Sequence, residues 1–349
     1  MKNLTFRLLA LLFWLCRLCP VQKGKAVLLR HFADWGSLAP LGDALKAAGY
    51  RVVRVARWTQ PGTLFHLATA DVVFLNNNFN LLRYLRFSKK TRLVQLWHGE
   101  GAWKQWGLSA EKDTAPLPYT AAVCSSRGVA PYWSEALGLP PAQVLPFGSP
   151  RIDALRKPFN KQALRAIFDQ QHPSCKGKRL FLYAPTFRAD PAQNAALLSH
   201  FDFAAFDEQF GGQAMLLMRL HPAIHSDCRL PRCNCALDVT GLPDPLELLR
   251  VCDVFVTDYS SLCFSAAALG LPIVIFAFDA ENYTQHDRGF YVSPLALPPG
   301  KIARTFPHLL AALASPEGPT EKQQREAFTA FHLGATDGKS CERIIDWLR

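Results

Sequence analysis

The feature that most constrains this chain is a recurring unit. A short apolar run is followed by polar or conformationally special residues and then by a helix-like stretch. In the first half such runs occupy 26–29, 51–56, 71–75, 92–97, 121–124 and 144–148. A second set occupies 179–183, 214–220, 254–257 and 273–276. Between them, 41–48 is helix-like and stops at Gly49, a residue suited to a helix C-terminus. Strands that alternate with helices predict an α/β chain with parallel sheets covered on both faces. Open sheets of that kind bind ligands beyond the carboxyl ends of their strands.

At 349 residues the chain is too long for one ordinary core and suits two α/β domains. A stretch rich in Pro and Gly at 146–158 marks the boundary. The expected division is a segment over 1–24, an N-terminal domain over 25–150, a C-terminal domain over 151–315, and a tail over 316–349. The charged part of the tail reads as helical and is expected to pack across the other domain. A net charge of +11 favours acidic partners such as anionic lipid or phosphate-bearing substrates. Nucleic acid is not expected, because no basic run interleaved with aromatics occurs. The ten cysteines are scattered, several inside apolar runs, which points to free thiols in a reducing compartment.

The stretch 4–19 is apolar but broken by Arg7 and Arg17, and it is short for a bilayer span, which needs roughly 20 apolar residues. No small-residue cleavage site follows it. A helix lying in the membrane interface fits better, with Lys2, Arg7, Arg17, Lys23 and Lys25 toward anionic headgroups.

Candidate chemistry sits at the strand ends. Thr257-Asp258-Tyr259-Ser260-Ser261 lies between a buried strand and a helix, so its hydroxyls and amides suit a phosphate cradle or a plain helix cap. His98 and His221 each follow a strand, in different halves, and a histidine there serves as base, phosphate donor or packed side chain. Arg188 can meet a phosphate through a bidentate contact or form a surface ion pair. His221, His225, Cys228, Cys233 and Cys235 offer zinc ligands, but their spacing matches no standard zinc motif and no metal site is assigned. The absence of GxxxxGK[ST], HExxH, GxSxG and GxGxxG disfavours P-loop, metalloprotease, esterase and dinucleotide-oxidoreductase readings.

Taken in order, several segments resemble the CDP-glycerol glycerophosphotransferases of teichoic-acid and capsule synthesis. They are Gln95-Leu96-Trp97-His98-Gly99, Phe147-Gly148-Ser149-Pro150-Arg151-Ile152-Asp153 and Tyr183-Ala184-Pro185-Thr186-Phe187-Arg188. Then come Arg219-Leu220-His221-Pro222, Thr257-Asp258-Tyr259-Ser260-Ser261, Asp279-Ala280-Glu281-Asn282-Tyr283 and Arg288-Gly289-Phe290-Tyr291. The resemblance implies a GT-B architecture, two Rossmann-like domains facing a cleft, with the donor nucleotide held mainly by the C-terminal one. It also implies monotopic, peripheral association with the cytoplasmic face of the membrane.

By the same resemblance His98 takes the catalytic-base position, and His221 is the second essential histidine near the donor pyrophosphate. Arg188, Thr257, Ser260 and Ser261 fall to the donor phosphates, and Asp258, Asp279, Glu281 and Arg288 to the polyol or nucleotide. Gly99, Glu100 and Lys104 form the acceptor loop. The implied partners are a CDP-polyol donor, a lipid-linked or glycan acceptor and an anionic membrane surface, with self-association left open. No cofactor is expected, since the CDP-polyol is a substrate, and a need for divalent metal is left open. One departure stands out: the family continues His-Gly-Thr-Pro, whereas this chain has His98-Gly99-Glu100-Gly101. A carboxylate beside the base would favour its imidazolium. The competing readings are a GT-B glycosyltransferase using a nucleotide sugar and a non-catalytic membrane-bound nucleotide-binding protein.

Overall fold

Two sheets of six strands organise the chain, and every neighbouring pair within them is parallel. The computed structural model describes residues 2–30, 35–57, 59–110, 115–188, 190–221, 230, 233–242, 244–286 and 289–349. Its residues group into two compact units. One comprises Met1–Ala102, Trp106–Ala154 and Phe331–Arg349; the other comprises Trp103–Gln105 and Leu155–Ala330.

The first unit opens with α1 (Lys2–Cys16), followed by β1 (Gln22–Leu29), α2 (Leu38–Ala47), β2 (Arg51–Val55), α3 (Thr63–Ala68) and β3 (Ala70–Leu75). It continues through β4 (Arg92–Gln95), β5 (Ala121–Val123), α4 (Ala130–Leu137), β6 (Val144–Leu145) and α5 (Pro150–Leu155). The sheet order is β2-β1-β3-β4-β5-β6, so the order of strand addition reverses between β1 and β3. Gly49, at φ 88°, ends α2 in the left-handed conformation expected of a residue just past a helix.

The second unit contains α6 (Lys161–Gln171), β7 (Arg179–Tyr183), α7 (Pro191–Ala195), α8 (Phe203–Phe210), β8 (Ala214–Met218), β9 (Ala236–Asp238), α9 (Pro245–Val251) and β10 (Val254–Thr257). Then come α10 (Leu262–Ala268), β11 (Ile273–Phe276), α11 (Ala280–His286), β12 (Lys301–Ala303), α12 (Phe306–Ala314) and α13 (Pro319–Leu333). The order is β12-β11-β10-β7-β8-β9, so the strand sequence reverses between β7 and β10. β8, β10 and β11 are buried along their whole length, as parallel strands covered on both faces must be. Side chains cap the helices that feed this sheet: Asn160 accepts from the Ala163 amide, Asp202 from Ala205 and Asp244 from Leu246.

The last helix, α14 (Ser340–Leu348), belongs to the first unit. Its Ile344, Ile345 and Leu348 join Leu38, Leu41 and Leu45 of α2 in one core. Asp153 accepts from the amides of Gly338 and Ser340, both at 2.9 Å, and fastens the segment that leads into it.

The apolar runs all appear as strands. β9 and β12 were not anticipated; each is a three-residue edge strand, too short to show a period. On α1, Phe6 and Phe13 pack against Tyr84 and Phe87. Leu8, Leu11, Leu12, Trp14, Leu15 and Leu18 are exposed. Among the described residues no helix is long and apolar enough to cross a membrane.

Candidate active site

In the first unit the site begins where β4 ends. Gln95 is fully buried and fixes the turn: its Nε2 donates to the Asn77 carbonyl at 3.0 Å and to the Tyr119 hydroxyl at 2.9 Å, and its Oε1 accepts from the Trp97 amide at 2.8 Å. Trp97 adopts φ 57°, a left-handed conformation that bulky residues seldom occupy and that surrounding structure must hold. Its indole stacks on Trp106 with centroids 4.1 Å apart, and Trp106 meets Trp133 edge-on. The next residue, His98, is exposed, with Nδ1 3.3 Å from the Asn76 carbonyl oxygen. A proton on Nδ1 donated there leaves the lone pair on Nε2, the tautomer a general base needs.

Glu100 is turned toward the segment after β6. Its Oε1 accepts from Ser149 Oγ at 2.8 Å and lies 3.8 Å from Arg151 Nε. Gly99, Glu100, Ser37, Ser125 and Ser149 line a cavity of about 10 Å³, the size of one water. The Ser149–Arg151 segment thus holds the carboxylate that replaces the family's usual threonine, a role the sequence reading did not assign.

In the second unit Arg188 and the 257–261 turn follow β7 and β10, at the reversal of strand order where open sheets bind ligands, while Asp279 and Glu281 follow β11 and His221 follows β8. Arg188, expected at the donor phosphates, is instead turned toward carboxylates. Arg188 is 2% exposed, donates through Nε and Nη2 to Asp279 at 2.7 and 3.1 Å, and meets Asp258 at 2.8 Å. Nη1 donates to the Thr186 carbonyl at 2.6 Å. The guanidinium is therefore committed inward, and the two carboxylates raise its already high pKa further against the cost of burial. Asp258 is likewise internal: it is fully buried and also accepts from the amides of Thr186 and Tyr259. The Thr257 hydroxyl donates to the Ala184 carbonyl at 2.7 Å, which places it in the scaffold beneath the turn.

Ser260 and Ser261 lie above that scaffold. Ser260 is half-buried and its Oγ accepts weakly from the Leu262 amide at 3.4 Å; Ser261 is exposed and makes no capping bond. Asp279, held by Arg188, also accepts from the Tyr259 hydroxyl at 3.1 Å. Tyr259, Tyr283 and Phe290 pack ring against ring, with Arg188 over Tyr283 at 4.9 Å. Beside them is a pocket of about 250 Å³ lined by Tyr259, Glu281, Thr284, Phe290, Ser293 and Arg304, among others. Glu281, a candidate polyol or nucleotide residue, lines this pocket, as do Arg304 and Ser293, which fall in no recognisable motif.

His221 follows β8, and its ring packs 4.7 Å from Phe187. Partial burial first, and the Lys104 ammonium second, hold its imidazole below the ordinary value of 6.5. Lys104 was assigned to the acceptor loop, yet it groups with this second unit. Arg288, His225 and Cys228 lie outside the described residues. Cys235 is buried and donates to the Phe203 carbonyl, and its thiol is pushed up to about 12 by burial and by Cys233.

The family described as CDP-Glycerol:Poly(glycerophosphate) glycerophosphotransferase matches residues 48–349. A teichoic acid poly(ribitol-phosphate) polymerase of Bacillus spizizenii is 29% identical over 81% of this chain, and this chain spans about half (47%) of that protein's length. A teichoic acid ribitol-phosphate primase of the same organism is 29% identical, over 82% of this chain and 76% of the relative. The solved structure of the wall teichoic acid polymerase TagF superposes with a TM-score of 0.77, covering 99% of this chain and 94% of that one at 20% identity, which establishes a shared fold. With the match running over most of its length, the chain belongs to the CDP-glycerol:poly(glycerophosphate) glycerophosphotransferase family.

Proposed function

We propose that this protein transfers a polyol phosphate from a CDP-polyol to a hydroxyl of a lipid-linked or polymeric glycan precursor, releasing CMP. One observation carries this reading. Six of the seven segments that bear the family resemblance follow the carboxyl end of a parallel strand, β4, β6, β7, β8, β10 or β11; the seventh, 288–291, comes after α11. Within each sheet, segments far apart in sequence meet at its carboxyl edge, where open parallel sheets bind ligands. The GT-B arrangement belongs to the same proposal, with the donor on the second unit and the acceptor on the first.

In the reaction the acceptor oxygen attacks the phosphorus that carries the polyol, and the bond to the CMP oxygen breaks. His98 Nε2 takes the hydroxyl proton, a contribution typically of about 10²–10⁴ in rate. His221, Ser260 and Ser261 receive the charge that develops on the departing CMP, where fixed donors are most effective. Arg188 acts at one remove: it keeps Asp258 and Asp279 in place, and Asp258 in turn holds the amides of Thr186 and Tyr259. The 250 Å³ pocket suits the polyol or the cytidine, with Glu281 and Arg304 for hydrogen bonds and Tyr259 and Phe290 for the ring face.

Purified protein incubated with CDP-ribitol and with CDP-glycerol, together with lipid-linked acceptors, tests the proposal by CMP release and product mass. CDP-ribitol is the first donor to try, because both relatives named above are ribitol-phosphate enzymes. His98→Ala should reduce turnover about 10²–10⁴-fold. Near-normal turnover in that variant would remove His98 from the mechanism. Release of UDP from a nucleotide sugar, with no CMP from any CDP-alcohol, would favour a glycosyltransferase.

A further inference from the structure

A three-residue strap crosses into the second unit. Trp103–Gln105 groups there, although the residues on either side of it belong to the first unit. The strap is built, not merely adjacent. The Gln105 amide donates to the Gly289 carbonyl at 2.8 Å, the Tyr291 amide donates to the Trp103 carbonyl at 2.6 Å, and Lys104 forms an antiparallel bridge with Phe290. Trp103 is 3% exposed and packs against Phe264 of α10 and Phe328 of α13. A lysine serving only solubility needs no such mooring.

The strap delivers one ammonium to one place. Lys104 Nζ lies 3.5 Å from Thr186 Oγ1 and 5.5 Å from the Tyr283 ring centroid. Thr186 is tied through its amide to Asp258 and through its carbonyl to Arg188. Asp258 in turn holds the amide that opens the Tyr259-Ser260-Ser261 turn. Lys104 therefore stands on the scaffold that carries the serine turn. It is also close enough to His221 for its charge to act on that imidazole.

We infer that Lys104 is a ligand of the donor's diphosphate, held within the donor-binding unit by the 103–105 strap, and not an acceptor residue. This rests on the CDP-polyol reading proposed above. An ammonium is a compact point charge that suits a diphosphate oxygen, and hydrogen bonds to ionised groups are the strong ones. The role is charge placement on the α- and β-phosphates, shared with His221 and the serine hydroxyls.

The test compares ligands that differ only in phosphate. Calorimetric titration of the full chain with CDP and with cytidine, for the wild type, Lys104→Met and Lys104→Arg, isolates the contact. Lys104→Met should weaken CDP roughly ten- to hundredfold and leave cytidine unchanged, since a charged hydrogen bond is lost. Lys104→Arg should recover part of the loss. CDP affinity unchanged in Lys104→Met would overturn the inference, and so would an equal fall for CDP and cytidine, which would mark a packing role. A wild type that binds neither CDP nor any CDP-alcohol would instead refute the underlying donor reading. Binding of CDP with no effect of Lys104→Met refutes the lysine's role alone.

Discussion

At the scale of single residues, the side chain with the largest energetic consequence is Arg188. A guanidinium and the Asp258 carboxylate are buried together, with the half-buried Asp279 beside them, and such a group resists loss of one member because its partner is left charged in a low-dielectric interior. Arg188→Leu should cost about 3–5 kcal/mol of stability by denaturant titration. Arg188→Leu combined with Asp258→Asn should recover part of it. A single-variant loss below about 1 kcal/mol would mean that Asp258 does not depend on this cation. His221 behaves differently. Its pKa is depressed by burial and by Lys104, so the free protein carries it neutral at neutral pH and gains charge there only under more acidic conditions. A diphosphate bound beside it, as proposed, would act in the opposite sense and favour the protonated form.

At the scale of elements, α1 has a packed side and an exposed apolar side. Phe6 and Phe13 attach it to Tyr84 and Phe87, while Leu8, Leu11, Leu12, Trp14, Leu15 and Leu18 are exposed, flanked by exposed Arg7 and Arg17. An apolar strip edged by arginines suits the boundary between headgroups and acyl chains. Replacing Leu8, Leu11, Trp14 and Leu15 together by Gln should lower sedimentation with vesicles containing anionic lipid at least tenfold and leave vesicle-free CMP release unchanged. Undiminished sedimentation would exclude this helix as the membrane contact.

Ten of the twelve strands were legible because buried parallel strands read as apolar runs, while the three-residue edge strands β9 and β12 were not; polar and special residues follow several of the legible strands. The pairing of Arg188 with Asp258 and Asp279 was not legible. These residues are brought together only by the parallel packing of β7 against β10 and of β10 against β11. Arg188 on its own reads equally well as a phosphate clamp. The grouping of Lys104 was not legible for a similar reason: it is near His98 in sequence, and its backbone pairing with 289–291 ties it to the second unit.

At the scale of the whole molecule, the first unit is discontinuous. Its core takes Leu38, Leu41 and Leu45 from near the start of the chain and Ile344, Ile345 and Leu348 from α14. Shortening the chain at residue 330 should therefore destabilise the first unit while the second retains its own core. Limited proteolysis should release a resistant fragment spanning about 155–330 from the shortened chain. Survival of an equally resistant 1–154 fragment would show that α14 contributes little.

The same discontinuity sets an order of events at the ribosome. Nascent chains ordinarily fold from the N-terminus as each domain emerges. Here the first unit lacks the α14 part of its core until residues 331–349 leave the exit tunnel, after nearly all of the second unit has been made. The half synthesised first is the half finished last, so the interval of translation between them is when this protein most needs a chaperone.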